Sequence, residues 1–452
     1  MKLGLLCFLC SIFAYGELSF DDSQNKTIKE VPVIINGGEK SISEVTIRVQ
    51  GASVRNFRLY KQFSLQNLTS TQKKQAESIK AIIERDLAIV GGLDFINEVK
   101  TSLTDEFLKQ QGAEGKTELS FNFIKDKISI IIKNTNFISN KFFEHKFDSN
   151  EAGLRKLAHY ASKSIFEAFV APEDLFLRQL VAIKTDADSN QQIVVMDFDG
   201  ENEKTITTDK WTKVSPSFSP DGKSILYSII TDQGHAIIEH DLITNKRVFR
   251  TKKIGVNMEP RVNPNNKCML ASLSLEKSTN IYKADRTGNN LVKITDSLGM
   301  NLSPNISSSG KKLAFVSDRS GNPQIYIQNF SDTCTLSGEA KRVTFLGNYN
   351  QNPYFSPDEN FLVFVGRDEK NVFDIFLLEL SSLKISRITQ NQGNNRSPLF
   401  SPSGRLVIFA SQRFGNKKNH LYLSNLSGNY QVKITSGNAS YDSIAISPLI
   451  AK

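Results

Sequence analysis

Pro216-Ser217-Phe218-Ser219-Pro220-Asp221-Gly222-Lys223 decides how this chain is read. The same phrase returns as Pro260-Arg261-Val262-Asn263-Pro264-Asn265-Asn266-Lys267 and as Pro304-Asn305-Ile306-Ser307-Ser308-Ser309-Gly310-Lys311. It returns again in Pro353-Tyr354-Phe355-Ser356-Pro357-Asp358 and Pro398-Leu399-Phe400-Ser401-Pro402-Ser403-Gly404-Arg405. A truncated copy is Ser443-Ile444-Ala445-Ile446-Ser447-Pro448. The repeat length is about 45 residues, which marks a chain built from repeated supersecondary units.

Each unit reads as four strands. The phrase is a short strand ending in an Asp-Gly type of turn, whose residues tolerate positive φ. An apolar strand follows at 224–228, 269–273, 313–317, 361–365 and 406–411. A third carries an aliphatic-aromatic centre, as in Ile325-Tyr326-Ile327 and Leu421-Tyr422-Leu423. A fourth is short and contains Thr, at 292–295, 342–344, 387–389 and 432–435. Four strands per repeat of this length is the pattern of a β-propeller blade. The truncated copy supplies one strand only, and three unclaimed strands lie upstream at 180–184, 193–197 and 205–208. Together they make a sixth blade, which removes the exposed edges of an open array. The fold class expected is therefore an α/β N-terminal domain followed by an all-β six-bladed β-propeller, closed by N-terminal strands pairing with the C-terminal strand.

Residues 1–16 read as a secretory signal peptide. Lys2 is followed by an apolar run at 3–13 and then by small residues in Ala14-Tyr15-Gly16. The run is too short for a permanent span, which needs about 20 residues. No other stretch is long and apolar enough, so the mature chain is not expected to span a membrane. Residues 17–177 read as an α/β domain, with helices at 69–87 and 150–170 and strands at 31–35, 45–50, 118–124 and 127–133. Residues 178–452 form the propeller. The composition, 39% hydrophobic and 23% charged with 30 Phe, suits a folded, sheet-rich chain. The net charge of +9 is dispersed, without the Lys/Arg blocks of a nucleic-acid binder. Cys268 and Cys334 remain once Cys7 and Cys10 leave with the signal. They can pair in an oxidising compartment, but their spacing does not show it, and two isolated buried thiols are expected.

Catalytic signatures are missing from the sequence. It has no Gly-x-Ser-x-Gly elbow, no His-Glu-x-x-His pair among its five His, and no Gly-rich phosphate loop. No cofactor or metal is expected, and Asp221 and Asp358 read as turn formers. What the repeat offers is a face. The loops preceding each phrase, at 212–215, 255–259, 299–303, 347–352, 392–397 and 437–442, converge on one rim. Their amides, tyrosines and arginine suit protein recognition. The candidate contact residues are Asn257, Glu259, Asn301, Asn348, Tyr349, Asn350, Asn394, Asn395, Arg396 and Tyr441.

The phrases resemble the propeller repeats of the TolB family, periplasmic components of the bacterial Tol-Pal system. A more discriminating stretch is Leu154-Arg155-Lys156-Leu157-Ala158-His159-Tyr160-Ala161-Ser162-Lys163-Ser164-Ile165-Phe166-Glu167. It resembles the Leu-Arg-x-x-Ala-His helix that precedes the propeller in that family. Past it, Val170-Ala171-Pro172 stands where relatives carry Gly. The resemblance implies a non-catalytic, monomeric periplasmic scaffold. It would bind a Pal-like peptidoglycan-associated lipoprotein through the propeller and a TolA-like inner-membrane protein through the N-terminal segment, supporting outer-membrane integrity and cell division. The alternative is an exported propeller enzyme or ligand-binding protein acting on glycans or peptides.

Overall fold

The computed structural model describes residues 32–35, 38–41, 57–65, 68–96, 113–135, 140–275, 278–296, 299–367, 371–413, 415 and 417–449. The expected signal peptide and the expected strand at 45–50 lie outside these residues. The chain divides into two compact units, Met1–Glu44 and Val45–Lys452. In the first, β1 (Pro32–Ile35) pairs antiparallel with β2 (Gly38–Ser41).

The second unit begins with a five-stranded sheet and two helices. The strands are β3 (Phe57–Ser64), β4 (Leu93–Ile96), β5 (Gly115–Ile124), β6 (Lys127–Thr135) and β7 (Asn140–Asp148), in the order β4-β3-β5-β6-β7. Strand β3 is parallel to β4 and β5, and the remaining pairs are antiparallel. Helix α1 (Ser70–Val90) starts at a capping box: Thr69 accepts from the Gln72 N–H, and Gln72 returns the bond to Thr69. Ala76, Ile79, Ile83 and Leu87 recur at spacings of three and four and are buried. Helix α2 (Glu151–Phe169) is capped by Asn150, and its buried stripe runs through Leu154, Leu157, Ala158, Ala161, Ile165 and Phe166. Fully burying each such Leu or Ile contributes about 1.5–3 kcal/mol. The tight start of α2 needs Gly153, where a Cβ would meet the Asp148 carbonyl oxygen at 2.0 Å. Strands β3, β4 and β7 are not in the sequence reading. In β7 the edge position leaves Lys141, Phe142, Glu144 and Lys146 exposed, so no apolar alternation betrays it.

Six four-stranded antiparallel sheets follow. One end of the array contributes β8 (Gln179–Thr185), β9 (Gln191–Asp197) and β10 (Lys204–Thr205). The first full sheet is β11 (Thr212–Phe218), β12 (Ser224–Thr231), β13 (Gly234–Asp241) and β14 (Arg247–Thr251). The second is β15 (Asn257–Val262), β16 (Cys268–Leu273), β17 (Asn280–Asp285) and β18 (Val292–Lys293). The third is β19 (Asn301–Ile306), β20 (Lys312–Ser317), β21 (Gln324–Phe330) and β22 (Leu336–Arg342). The fourth is β23 (Asn350–Phe355), β24 (Phe361–Arg367), β25 (Phe373–Glu379) and β26 (Lys384–Arg387). The fifth is β27 (Gly393–Phe400), β28 (Leu406–Arg413), β29 (His420–Asn425) and β30 (Gln431–Lys433). The remaining strand, β31 (Ser440–Ile446), pairs with β8 from Ser440↔Thr185 to Ile446↔Leu180. It thereby completes a sixth sheet in the order β10-β9-β8-β31. Apolar clusters lie between consecutive sheets, and one joins Val181, Ile183 and Val195 of the sixth to Ile225, Tyr227 and Ile238 of the first.

The short outer strands stop before the threonines expected inside them. Thr295, Thr344, Thr389 and Thr435 are buried beyond the strand ends. Their hydroxyls accept from the N–H groups of Ile281, Ile325, Ile375 and Leu421. These threonines secure the third strand of the second to fifth sheets rather than extend the fourth.

Cys268 and Cys334 are not isolated thiols. They form a disulfide, with Cα atoms 6.5 Å apart, between the second sheet and the β21–β22 turn of the third. That separation lies within the range a disulfide bridges without backbone distortion. Spacing along the chain did not show the pairing, because it depends on how adjacent sheets face each other.

Candidate functional site

Each first strand carries the same irregularity. The register shifts between 214 and 217, 258 and 261, 302 and 305, 351 and 354, 396 and 399, and 442 and 445. At each bulge one non-glycine residue takes left-handed φ: Ser215, Glu259, Ser303, Asn352, Ser397 and Ser443, between 49° and 58°. Bulges bend a strand and re-aim its side chains, and six non-glycine residues in this region mark strain held by the surrounding fold. All six line an axial cavity of about 210 Å³.

Two residues before each strained position lies a buried residue: Lys213, Asn257, Asn301, Asn350, Asn395 and Tyr441. The four asparagines are among the candidate contact residues, and the structure places them inside. Asn257 accepts from Thr251 Oγ1 and donates to the carbonyls of Lys253 and Gly255. Asn301 donates to Asn280 Oδ1, Asn350 to Gln324 Oε1, and Asn395 to Asp374 Oδ1. They shape the loops from within. Tyr441 is also buried; its hydroxyl donates to Glu203 Oε2 at 2.8 Å, and burial pushes its pKa up. Glu259 is half-buried and accepts from Ser272 and Ser303.

The other candidates stand at the surface of the rim. Asn348 is exposed, while Tyr349, Asn394 and Arg396 are half-buried. Three of them converge on a residue that sequence reasoning missed, Phe373 at the start of β25. Tyr349 meets its ring edge to face at 5.8 Å, and Arg396 and Arg367 lie 5.8 Å and 6.0 Å from its centroid. Asn394 Oδ1 accepts from the Phe373 N–H at 3.1 Å. An aromatic ring flanked by a tyrosine and two arginines has the composition of an interface hot spot. Loops at this same end of the sheets expose Trp211, Ile254, Leu275 and Phe345, with Ile254 97% accessible. A lone apolar residue in a loop has no periodic signature, so only the topology could gather these.

The opposite end of the sheets meets α1 and α2. The Leu-Arg-x-x-Ala-His stretch of α2 makes this joint. Arg155 Nε donates to Asp197 Oδ2 at 2.8 Å, and its Nη2 donates to Asp199 Oδ1 at 2.8 Å. His159 Nδ1 lies 2.8 Å from Asp86 Oδ2 of α1, and its Nε2 lies 3.6 Å from Asp197 Oδ2. Arg85 pairs with Glu201 at 2.7 Å. Burial opposes protonation of His159, yet hydrogen bonds to Asp197 and Asp86 carry its pKa up to about 9. Burial raises Asp86. Asp86, His159 and Asp199 have the donor types of a metal site. Arg155 already neutralises Asp199, which makes the cluster an ion-pair joint.

A second joint repairs a departure in the repeat. In the first and fourth sheets the turn Asp accepts from the phrase serine, as Ser219 does to Asp221 and Ser356 to Asp358. The fifth copy has Ser403 there. Glu173, buried after α2, supplies the carboxylate and accepts from Ser401 and Ser403. Tyr430 of the same sheet donates to the Ala88 carbonyl at the end of α1.

Repeated four-stranded sheets whose first strands line a common cavity, with helices against one end of the fifth and sixth sheets, define a β-propeller protein. The chain belongs to the TolB β-propeller family, whose TolB beta propeller domain matches residues 166–450. The Tol-Pal system protein TolB of Legionella pneumophila (strain Corby) is 26% identical over 190 residues, 40% of this chain and 45% of that protein. The Tol-Pal system protein TolB of Campylobacter jejuni (strain RM1221) is 36% identical over 104 residues, 23% of this chain and 24% of that one. These matches span less than half the length of the relatives. In fold, the chain is similar to the crystal structure of TolB from Acinetobacter baumannii, with a TM-score of 0.75 and 22% identity, over 87% of this chain and 96% of that one. No helix among the described residues is long and apolar enough to cross a membrane.

Proposed function

We propose that this protein is a non-catalytic, monomeric scaffold of the Tol-Pal envelope system, exported to the periplasm after removal of residues 1–16. Residues 17–177 form its N-terminal domain, and residues 178–452 form a closed six-bladed propeller with β31 and β8 as the seam. The exposed rim receives a Pal-like peptidoglycan-associated lipoprotein. The N-terminal segment contacts a TolA-like inner-membrane protein, and the coupling supports outer-membrane integrity and cell division.

The observation that carries this reading is the contrast between the two rims. The helices engage one end of the sheets through Arg155, Glu173 and Tyr430. The other end presents Phe373 with Tyr349, Arg367 and Arg396, together with exposed Trp211, Ile254 and Phe345. Among the rim residues named from the sequence, Asn348, Tyr349, Asn394 and Arg396 remain as contacts, and the buried asparagines hold the loops that present them. The disulfide adds support for export, since such bridges persist in oxidising compartments.

The test is capture of a peptidoglycan-associated lipoprotein from envelope extract, followed by titration of the purified pair. Tyr349→Ala with Arg396→Ala should weaken binding at least tenfold while the circular-dichroism spectrum shows the fold retained. Unchanged affinity in that folded variant would remove the rim from the interface.

A further inference from the structure

We propose that the rim of the third, fourth and fifth sheets is an arginine arc that docks an acidic segment of a partner protein, one in which Asp or Glu alternates with apolar side chains. This rests on the rim reading above for the choice of face and adds the chemistry of what meets it.

Strand order places five arginines at that end of the three sheets. Arg342, Arg367 and Arg413 close β22, β24 and β28, Arg396 lies in the first half of β27, and Arg319 follows β20. Each lies over an aromatic ring. Arg319 is 4.9 Å from the Tyr326 centroid, Arg342 is 4.8 Å from that of Phe345, and Arg413 is 4.1 Å from that of Tyr422. Arg367 and Arg396 share Phe373, at 6.0 Å and 5.8 Å. A guanidinium over a ring gives up rotamer freedom before a ligand arrives, so less is lost on binding.

None of the five meets a carboxylate among the described residues, whereas Arg85, Arg155, Arg247, Arg250 and Arg286 each pair with one. Where the five form hydrogen bonds, the acceptors are neutral. They are Asn301 and Ser317 for Arg319, the Thr344 carbonyl for Arg342, and Gln392 and Gln431 for Arg413. Those bonds position the side chains and leave their charge uncancelled. The described carboxylates at this end are engaged elsewhere: Asp374 pairs with Arg387, Asp318 accepts from the Met300 N–H, and Asp442 accepts from Ser397. Across 317–324, 342–350, 366–374, 387–397, 411–420 and 433–442 the sequence carries ten basic residues against five acidic. Like charges fixed along one rim raise a positive potential, which steers and holds a partner of opposite charge.

The rings decide between an acidic peptide and a phosphate surface. Phe345 is 52% exposed and Phe373 is half-buried, so apolar surface lies beside the charges. Headgroup phosphates would cover the guanidiniums and leave those rings in water. A segment alternating acidic and apolar side chains covers both, with its carboxylates on the planar forks.

The full mature chain is titrated by calorimetry with acetyl-Asp-Phe-Glu-Leu-Asp-Phe-Glu-amide and with its Asn/Gln counterpart, and by co-sedimentation with phosphatidylglycerol vesicles. The acidic peptide should saturate, and the neutral one should bind at least tenfold more weakly. Arg319→Gln with Arg367→Gln, shown folded by circular dichroism, should weaken the acidic peptide at least tenfold. Raising sodium chloride from about 0.05 M to about 0.5 M should do the same to wild type, because screening shortens the reach of exposed charges. Lys246→Gln with Lys384→Gln makes the same change of charge at the opposite end of the sheets, on two exposed lysines, and should leave the affinity unchanged. Failure of the acidic peptide to saturate overturns the proposal. So does equal affinity in the arginine variant, equal binding of the neutral peptide, an equal loss in the lysine variant, or binding of the vesicles alone. Arginine-dependent peptide binding with no lipoprotein captured from the envelope would remove the Tol-Pal reading and keep the arc. A captured lipoprotein unmoved by the arginine variant and by salt would keep that reading and remove the arc.

Discussion

Reducing the Cys268–Cys334 bridge should cost this protein about 4 kcal/mol. The cross-link joins residues 66 apart. In the chain-entropy model a loop of that length removes about 15 cal/mol/K from the unfolded ensemble, a little over 4 kcal/mol at 25 °C. Reduction of the wild-type chain isolates this effect, because both sulfurs stay in place. The pair Cys268→Ala and Cys334→Ala would add cavity terms, since both cysteines are buried. The assay is urea unfolding with and without reductant, with the bond state read by mass spectrometry. The expected result is a lower midpoint on reduction, and no effect of reductant on the double alanine variant. A shift below about 0.5 kcal/mol with the bond demonstrably broken would refute the constraint argued here. Free thiols in protein recovered from an oxidising compartment would refute the bridge itself.

Other expectations concern the joints. Glu173→Ala should destabilise by about 1–3 kcal/mol by removing the acceptor of the buried Ser401 hydroxyl and the half-buried Ser403 hydroxyl, and adding Ser403→Asp should restore much of it, since Ser403 stands where Asp221 and Asp358 stand; urea midpoints of the single and double variants decide. His159 has a folded pKa of about 9, above its unfolded value of 6.5. Its stabilising contribution is therefore fully present below pH 6.5 and is lost as pH rises through 9. The stability difference between wild type and His159→Gln should shrink across that window, and a flat difference between pH 6 and 10 would contradict it. Thr389→Val should cost about 1–3 kcal/mol by leaving the buried Ile375 N–H without its acceptor, and hydrogen exchange at that amide should accelerate.

Local chemistry made parts of this fold legible. The Asp-Gly turns and the two helices at 69–87 and 150–170 are decided by residues close in sequence, and they lie where the pattern put them, while the structure picks Thr69 and Asn150 as the helix caps. The phrase marked only the second half of each first strand, which begins three to five residues earlier, within the segments read as loops, because turn chemistry fixes where a strand ends and not where it starts. What failed to show depends on neighbours distant in sequence. The rim asparagines look like adaptable contacts until their partners Asn280, Gln324 and Asp374 are seen on the third strands. Phe373 reads as one more apolar strand residue, and its role appears only when Tyr349 and Arg396 reach it from two different sheets. The edge strand β7 alternates too weakly to announce itself.

The pairing of β31 with β8 sets a timetable as well as a shape. Gln179 donates its N–H to Ser447 Oγ at a sequence separation of 268. Such distant partners raise contact order and slow folding. During synthesis the sixth sheet can be completed only after the other five have emerged, and until then the edge of β8 that takes β31 stays unpaired, open to any other strand that reaches it.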